Sequence, residues 1–208
     1  MRLPESAFTA ILQQIESDPS LKEKHSGRSL SFGIINRRNQ SSDYSRNNWI
    51  RSSLYAKLLA FADTYVKIPF DSISILFGSR PQFGKLKNSK GLAFLTAIGN
   101  FTGGAMTVMG DLSGNSLTTD IYHSSIVCDF SKQPFKLEDY EGERIVLIFY
   151  KFYCKKQKQL PKWDLREEKG EWVFYRGETK MGQKKKKKTN YYDGKMTVTR
   201  GDIELRFD

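Results

Sequence analysis

The chain reads as an α+β protein, with N-terminal helices packed on a β-sandwich or barrel and a basic C-terminal β-hairpin extension. Three observations carry that reading. Apolar residues keep helical spacing only ahead of Pro69. From Asp71 to Tyr150 the chain breaks into short runs rich in β-branched and aromatic residues, separated by Gly, Asn, Asp, Ser or Pro. Beyond Tyr150 lysine and arginine dominate. Helices followed by regularly spaced strands place the helices on one side of a closed or two-layered sheet.

The elements follow in order. Phe8, Ile11, Leu12 and Ile15 share one helical face, with Pro4 near the start where it is tolerated. A polar stretch, "SDPSLKEKHSGRS", leads to "SLSFGIINRR", whose Phe32, Ile34 and Ile35 predict a short strand. "NQSSDYSRNN" is a loop rich in helix-capping residues. Ile50, Leu54, Leu58, Phe61, Ala62 and Tyr65 form the apolar face of a second helix, which must stop by Ile68 ahead of Pro69. Strands are expected at "DSISILFG", "AFLTAIG", "AMTVM", "SSIVCDF", "RIVLIFY" and "WVFY". Asp193-Gly194, between two alternating segments, signals a hairpin. The division expected is residues 1–150 as a core domain and 151–208 as a basic, aromatic-rich extension.

Composition narrows the classes. Of 208 residues, 38% are apolar and 13% aromatic, so a sizeable core is within reach and global disorder is excluded. No apolar run approaches the roughly 18 residues of a membrane span. The N-terminal segment carries acids that disfavour a secretory or transit signal. Cys128 and Cys154 form no disulfide framework, and a reducing intracellular compartment is expected. The chain holds 34 Lys plus Arg against 23 Asp plus Glu, a net charge of +11. Residues 151–208 hold 17 bases and 9 acids, leaving 17 and 14 in residues 1–150. A localised basic surface predicts a polyanionic partner, with nucleic acid ahead of an anionic membrane; a merely solubilising tail is the competing reading.

Chemistry-bearing motifs are sparse. The chain has two histidines, His25 and His123. His123 and Asp129 share a face of an extended strand, but at a separation of roughly 20 Å, too far for one metal. "GNFTGG" lacks the lysine and spacing of a phosphate-binding loop, and there is no Gly-x-Ser-x-Gly elbow.

The segments "LTAIGNFTGGAMTV" and "EGERIVLIFY", in that order between Ser31 and Tyr150, resemble the 2-oxoglutarate/Fe(II)-dependent dioxygenase superfamily. The resemblance implies a double-stranded β-helix, or jelly roll, with helices on its major sheet. In that family a strand bearing His-x-Asp and a later His hold iron, a double glycine opens a strand, and a Gly-x-Arg strand grips 2-oxoglutarate. The resemblance puts Arg144 at the co-substrate arginine. It also puts Gly84, Leu86 and Phe135 at the three ligand positions. Gly, Leu and Phe offer no atom that binds iron, so a facial triad cannot be built from them. The expectation is a degenerate member with no metal and no cofactor. Arg144 is then either a carboxylate site or a structural cation beside Glu138, Asp139 or Glu143.

Positive evidence for function lies in the extension. Lys155, Lys156, Lys158, Lys162 and Arg166 form one cluster, and Lys180 with Lys184, Lys185, Lys186, Lys187 and Lys188 forms another. Phe152, Tyr153, Trp163, Trp172, Phe174, Tyr175, Tyr191 and Tyr192 interleave with them. Cations for phosphates and flat rings for bases are how single strands and RNA loops are held. Aromatics alternating along strands are otherwise core. Three functional readings follow. The first is a catalytically inactive dioxygenase-fold protein that binds nucleic acid, RNA above all, or serves as a subunit of a large assembly. The second is an active oxygenase using Fe(II) and 2-oxoglutarate at an atypical site. The third is a capsid-like structural jelly roll.

Overall fold

The computed structural model describes residues 1–22, 28–36, 42–78, 84–86, 88–110, 115–154, 159–182, 190–192, 195–200 and 203–205. Four helices come early: α1 (Ser6–Ser17), α2 (Pro19–Lys22), α3 (Asn47–Ile50) and α4 (Ser52–Tyr65). Two strands precede α3, namely β1 (Arg28–Asn36) and β2 (Ser42–Tyr44). After α4 come β3 (Ser72–Phe77), β4 (Ser89–Gly103), β5 (Met106–Met109), β6 (Ser116–Thr119), β7 (Ser125–Cys128), β8 (Phe135–Leu137) and β9 (Tyr140–Phe152). The remaining strands are β10 (Trp163–Glu168), β11 (Glu171–Arg176), β12 (Thr179–Lys180), β13 (Asn190–Tyr192), β14 (Lys195–Arg200) and β15 (Ile203–Leu205).

Sheet order identifies the architecture. One antiparallel sheet runs β2-β1-β3-β9-β4-β7, and a second runs β6-β5-β8. Gly84 extends the second sheet by bridging to Phe135 on β8. From β3 onward the chain passes back and forth between the layers, with β5 and β6 forming a hairpin within the second. The row β3-β9-β4-β7 therefore faces the row Gly84-β8-β5-β6. That wrapping is the jelly roll, and it closes most strand edges against each other.

Two cores lie on either side of the larger sheet, as the two-residue period of a strand requires. On β4, Leu95 and Ala97 point between the sheets, while Phe94 and Ile98 point under the helices. On β9, Val146, Ile148 and Tyr150 point inward, while Leu147 and Phe149 meet α1 and α4. The helices answer with Phe8, Ile11 and Ile15 from α1 and with Leu54, Leu58 and Phe61 from α4. Phe61 stacks on Phe149 at 5.7 Å.

The predicted second helix differs in one respect. Ile50 is 50% exposed and belongs to α3, because the chain breaks at Arg51 (φ −133°, ψ 45°). Arg51 instead reaches back to Asp18 at 2.9 Å and ties the two helical regions together. The "AFLTAIG" strand is also longer than expected, spanning all of β4.

Beyond β9, the sheet β10-β11-β12 packs on α4. Phe174 enters the helix-side core against Tyr44, Trp49 and Tyr55. The Tyr44 hydroxyl donates to the Pro161 carbonyl at 2.5 Å, and the Ser52 hydroxyl donates to the Trp172 carbonyl. β9 itself runs across residue 150. β13 and β14 pair antiparallel, with Tyr192 opposite Lys195.

Candidate functional site

The barrel mouth forms where the segment around Gly84 meets β8. Gly84 donates to the Phe135 carbonyl at 3.0 Å, and Phe135 donates back to the Gly84 carbonyl at 2.8 Å. Two positions separated by 51 residues, both expected at ligand sites, thus sit directly opposite each other. Leu86 donates its N–H to the Phe130 carbonyl at 2.9 Å and packs against the interior core. The Phe130 and Phe135 rings lie 4.9 Å apart. The mouth is therefore lined by a glycine, a leucine and two phenylalanines. None of them carries a nitrogen, oxygen or sulfur donor on its side chain, so this mouth does not fit an iron ion. Among the described residues no three His, Cys, Asp or Glu side chains converge on one point.

Arg144, from β9, is 2% exposed. Its Nη1 donates to the Gly104 carbonyl at 3.1 Å and to the Glu138 carbonyl at 2.8 Å. Its guanidinium carbon stands 4.0 Å from the centre of the Tyr140 ring, a cation–π geometry. Burial lowers its pKa, and the neighbouring Tyr140 and Asp139 push it back up. Glu138 offers its backbone here and sends its carboxylate elsewhere, to Lys136 at 2.5 Å and the Thr107 hydroxyl at 2.7 Å.

This arrangement explains the double glycine. Gly103 and Gly104 both have positive φ, +73° and +69°. A Cβ on Gly104 would lie 2.6 Å from Arg144 Nη1 and 3.0 Å from the Tyr140 Cβ. The second glycine leaves room for the guanidinium and accepts its hydrogen bond. Gly104→Ala is expected to destabilise the fold by about 2–3 kcal/mol, from left-handed strain and displacement of Arg144. Urea unfolding measures it, and a loss below 0.5 kcal/mol, the ordinary scatter of surface substitutions, contradicts the packing.

The predicted nucleic-acid residues divide into three groups. Lys155, Lys156, Lys158 and Lys184 to Lys188 lie outside the described residues. Lys162 is exposed ahead of β10. Arg166 and Lys180 fall on the face of the β10-β11-β12 sheet turned away from α4, inside a chain of ion pairs. Arg166 binds Asp164 at 2.7 Å and lies over the Tyr175 ring. Lys180 binds Glu168 at 2.6 Å, and Glu168 also accepts from the Tyr175 hydroxyl. The hydrogen bond from Arg166 holds the Asp164 carboxyl below its ordinary range; Lys180, with Tyr175 behind it, does the same to Glu168. Pairing Tyr175 with Lys180 across β11 and β12 brings these groups together.

The interleaved aromatics divide as well. Phe152 and Phe174 are core. Tyr153 and Trp163 keep exposed surface, at 45% and 38%. Side chains of Tyr191 and Tyr192 lie outside the described residues. His123 is buried, stacked between Phe8 at 5.1 Å and Tyr122 at 4.1 Å. His25 lies outside the described residues. Both cysteines are free, and burial raises the Cys128 thiol pKa while the thiol donates to Gln133.

Two grooves escaped sequence reasoning. One, of about 500 Å³, opens between β6 and β7, with Met109, Leu117 and Val127 at its rim. The other, of about 720 Å³, lies between α4 and β10–β11. Neither has a motif, because each is assembled from elements distant in sequence.

No family model matches the sequence, and no curated protein does. Solved structures similar in fold cover part of this chain. One is NgTET1 in complex with 5mC DNA, with a TM-score of 0.48 and 13% identity over 74% of this chain and 72% of that one. Another is an oxidoreductase of the 2OG-Fe(II) oxygenase family from Burkholderia pseudomallei, at 0.46 and 12% over 74% and 82%. A third is a Pseudomonas putida prolyl-4-hydroxylase, at 0.40 and 11% over 72% and 88%. The likeness is one of fold. No helix among the described residues is long and apolar enough to cross a membrane.

Proposed function

We propose that this protein is a non-catalytic member of the dioxygenase-like jelly rolls that binds nucleic acid, RNA ahead of DNA, within a larger intracellular assembly. The observation that carries the non-catalytic part is the bridge between Gly84 and Phe135, with Leu86 and Phe130 packed beside it. The fold brings the expected ligand positions together, and they hold no ligand atoms. Arg144 then serves the fold, with backbone carbonyls and a ring among its partners. Neither iron nor 2-oxoglutarate is a cofactor in this reading. The binding part rests on charge: residues 151–208 carry 17 of the chain's 34 bases but only 9 of its 23 acids. In this division residues 1–150 form the scaffold and 151–208 the binding extension.

Anaerobic reconstitution with Fe(II), followed by metal analysis and a succinate assay, tests the inactive reading. The expected result is substoichiometric iron and no succinate. One tightly held iron per chain, or succinate formed by the wild type, would instead establish an oxygenase with an atypical site.

A further inference from the structure

We infer that two copies of this chain pair edge to edge along β10, about a twofold axis at Leu165, so that Asp164 of each copy meets the partner's Arg166. Such pairing needs no nucleic acid. β10 ends its sheet, whose order is β10-β11-β12, so among the described residues one side of a six-residue strand is left without a neighbour. The margins at β2, β6, β7 and β12 are only two to four residues long, and along β7 Met1 already exchanges hydrogen bonds with Ser125. The turn at Lys169 and Gly170, both with positive φ, fixes the register of β10 on β11. Beyond the strand, the Gly177 N–H donates to the Lys162 carbonyl at 2.7 Å. By the alternation of antiparallel pairing, Asp164, Arg166 and Glu168 then turn their backbone groups toward β11, while Trp163, Leu165 and Glu167 turn theirs outward. The Leu165 N–H agrees: it donates to the Asp164 carboxylate at 2.9 Å.

Charge selects the partner and the register. With the axis at Leu165, the outward backbone groups match throughout: Leu165 faces its own copy and Trp163 faces the partner's Glu167. Asp164 then stands opposite the partner's Arg166, and Arg166 opposite the partner's Asp164. Both fall at non-hydrogen-bonded positions, where opposed side chains are closest, with Cα atoms about 4.5 Å apart. Moving the axis one residue either way sets Asp164 against Asp164 or Arg166 against Arg166 and mismatches the two faces or repels. Within one chain Asp164 and Arg166 form an exposed pair at 2.7 Å, with side chains 54% and 58% exposed, a weak contact that leaves both able to take a second partner. The Tyr175 ring lies 4.8 Å from the Arg166 guanidinium and holds it on this face. On the other face the groove of about 720 Å³ keeps the edge open beside α4, and its lining is mostly apolar, with Leu59, Trp163, Leu165 and Trp172 among it. That lining suits the partner's Leu165. A strand from another protein would have to supply the same Asp-x-Arg spacing, which a second copy carries by construction.

Sedimentation equilibrium of the nuclease-treated full chain tests it. Up to about 100 µM the wild type is expected to show a monomer–dimer equilibrium. Arg166→Asp sets two acids against the partner's Asp164 residues and should weaken dimerisation about a hundredfold or more. Asp164→Arg sets arginine against arginine and should do the same. Mixed one to one, the two variants should recover a dimer of near wild-type affinity holding one copy of each, because the acids of one chain then face the arginines of the other. Recovery also shows that both fold. Asp164→Arg combined with Arg166→Asp in one chain should dimerise by itself, and decides the matter if the melting curve of either single variant shows it unfolded. A wild type that stays monomeric overturns the pairing. Single variants that dimerise like wild type overturn the β10 edge, and weakening that neither mixing nor the double exchange repairs overturns the register. A dimer lost on nuclease treatment and restored by oligouridylate is bridged by nucleic acid; it overturns the edge pairing and supports the binding proposed above.

Discussion

Arg144→Met is expected to destabilise the fold by about 3–5 kcal/mol. The substitution strands the buried Gly104 carbonyl and the part-buried Glu138 carbonyl, at about 1–3 kcal/mol each, and removes the guanidinium from the Tyr140 ring. Methionine fills part of the space but donates nothing. At about 2–4 °C per kcal/mol for a chain of this size, the melting temperature should fall by roughly 10 °C. Calorimetry of wild type and variant measures it. Millimolar 2-oxoglutarate should leave the wild-type melting temperature unmoved. A ligand that binds the folded state must raise it, so a rise seen in wild type and absent in the variant would make Arg144 a carboxylate site. A mild substitution with no ligand effect would contradict the buried geometry itself.

The second large effect is on binding. Each phosphate neutralised releases counterions, so log affinity falls with log salt by about 0.7 to 0.9 per contact. Changing Lys184 through Lys188 to Gln should flatten that slope by roughly 3 to 4 units. Affinity at low salt should drop for every sequence tried, because phosphate contacts carry no base information. The melting temperature should not move. Fluorescence anisotropy at several salt concentrations gives the slope. An unchanged slope would reduce the run to a solubilising segment and turn the search toward a protein or membrane partner.

Much of the scaffold was legible because its strands are buried and apolar. "SISILF" and "RIVLIFY" announce themselves by β-branched and aromatic content, and they became β3 and the heart of β9. β6, "SLTT", and β8, "FKL", did not, since strands of three or four residues carry little composition. The break at Arg51 was hidden because Arg is a good helix former and the apolar spacing runs straight through it. At the mouth, resemblance alone put Gly84 and Phe135 at ligand positions, and their backbone pairing was not foreseen. The contacts of Arg144 were not. A sequence displays acids as candidate partners, whereas two of its acceptors are backbone carbonyls, which every residue has. The ion pairs of Arg166 and Lys180 needed the register of β10 to β12, which no composition specifies.

The seating of Phe174 bears on how separable the basic extension is from the rest. Tyr44, Trp49 and Tyr55 belong to the region before the jelly roll, yet they close around a ring that arrives 119 residues after Tyr55. A cassette that could be traded between proteins would leave its host intact when removed. This one would leave three aromatic side chains facing water. It would also leave the Tyr44 and Ser52 hydroxyls without the Pro161 and Trp172 carbonyls. The extension and the helical cap are thus a joint inheritance. Whatever pulls on β11 pulls on α4, the same helix that roofs the larger sheet.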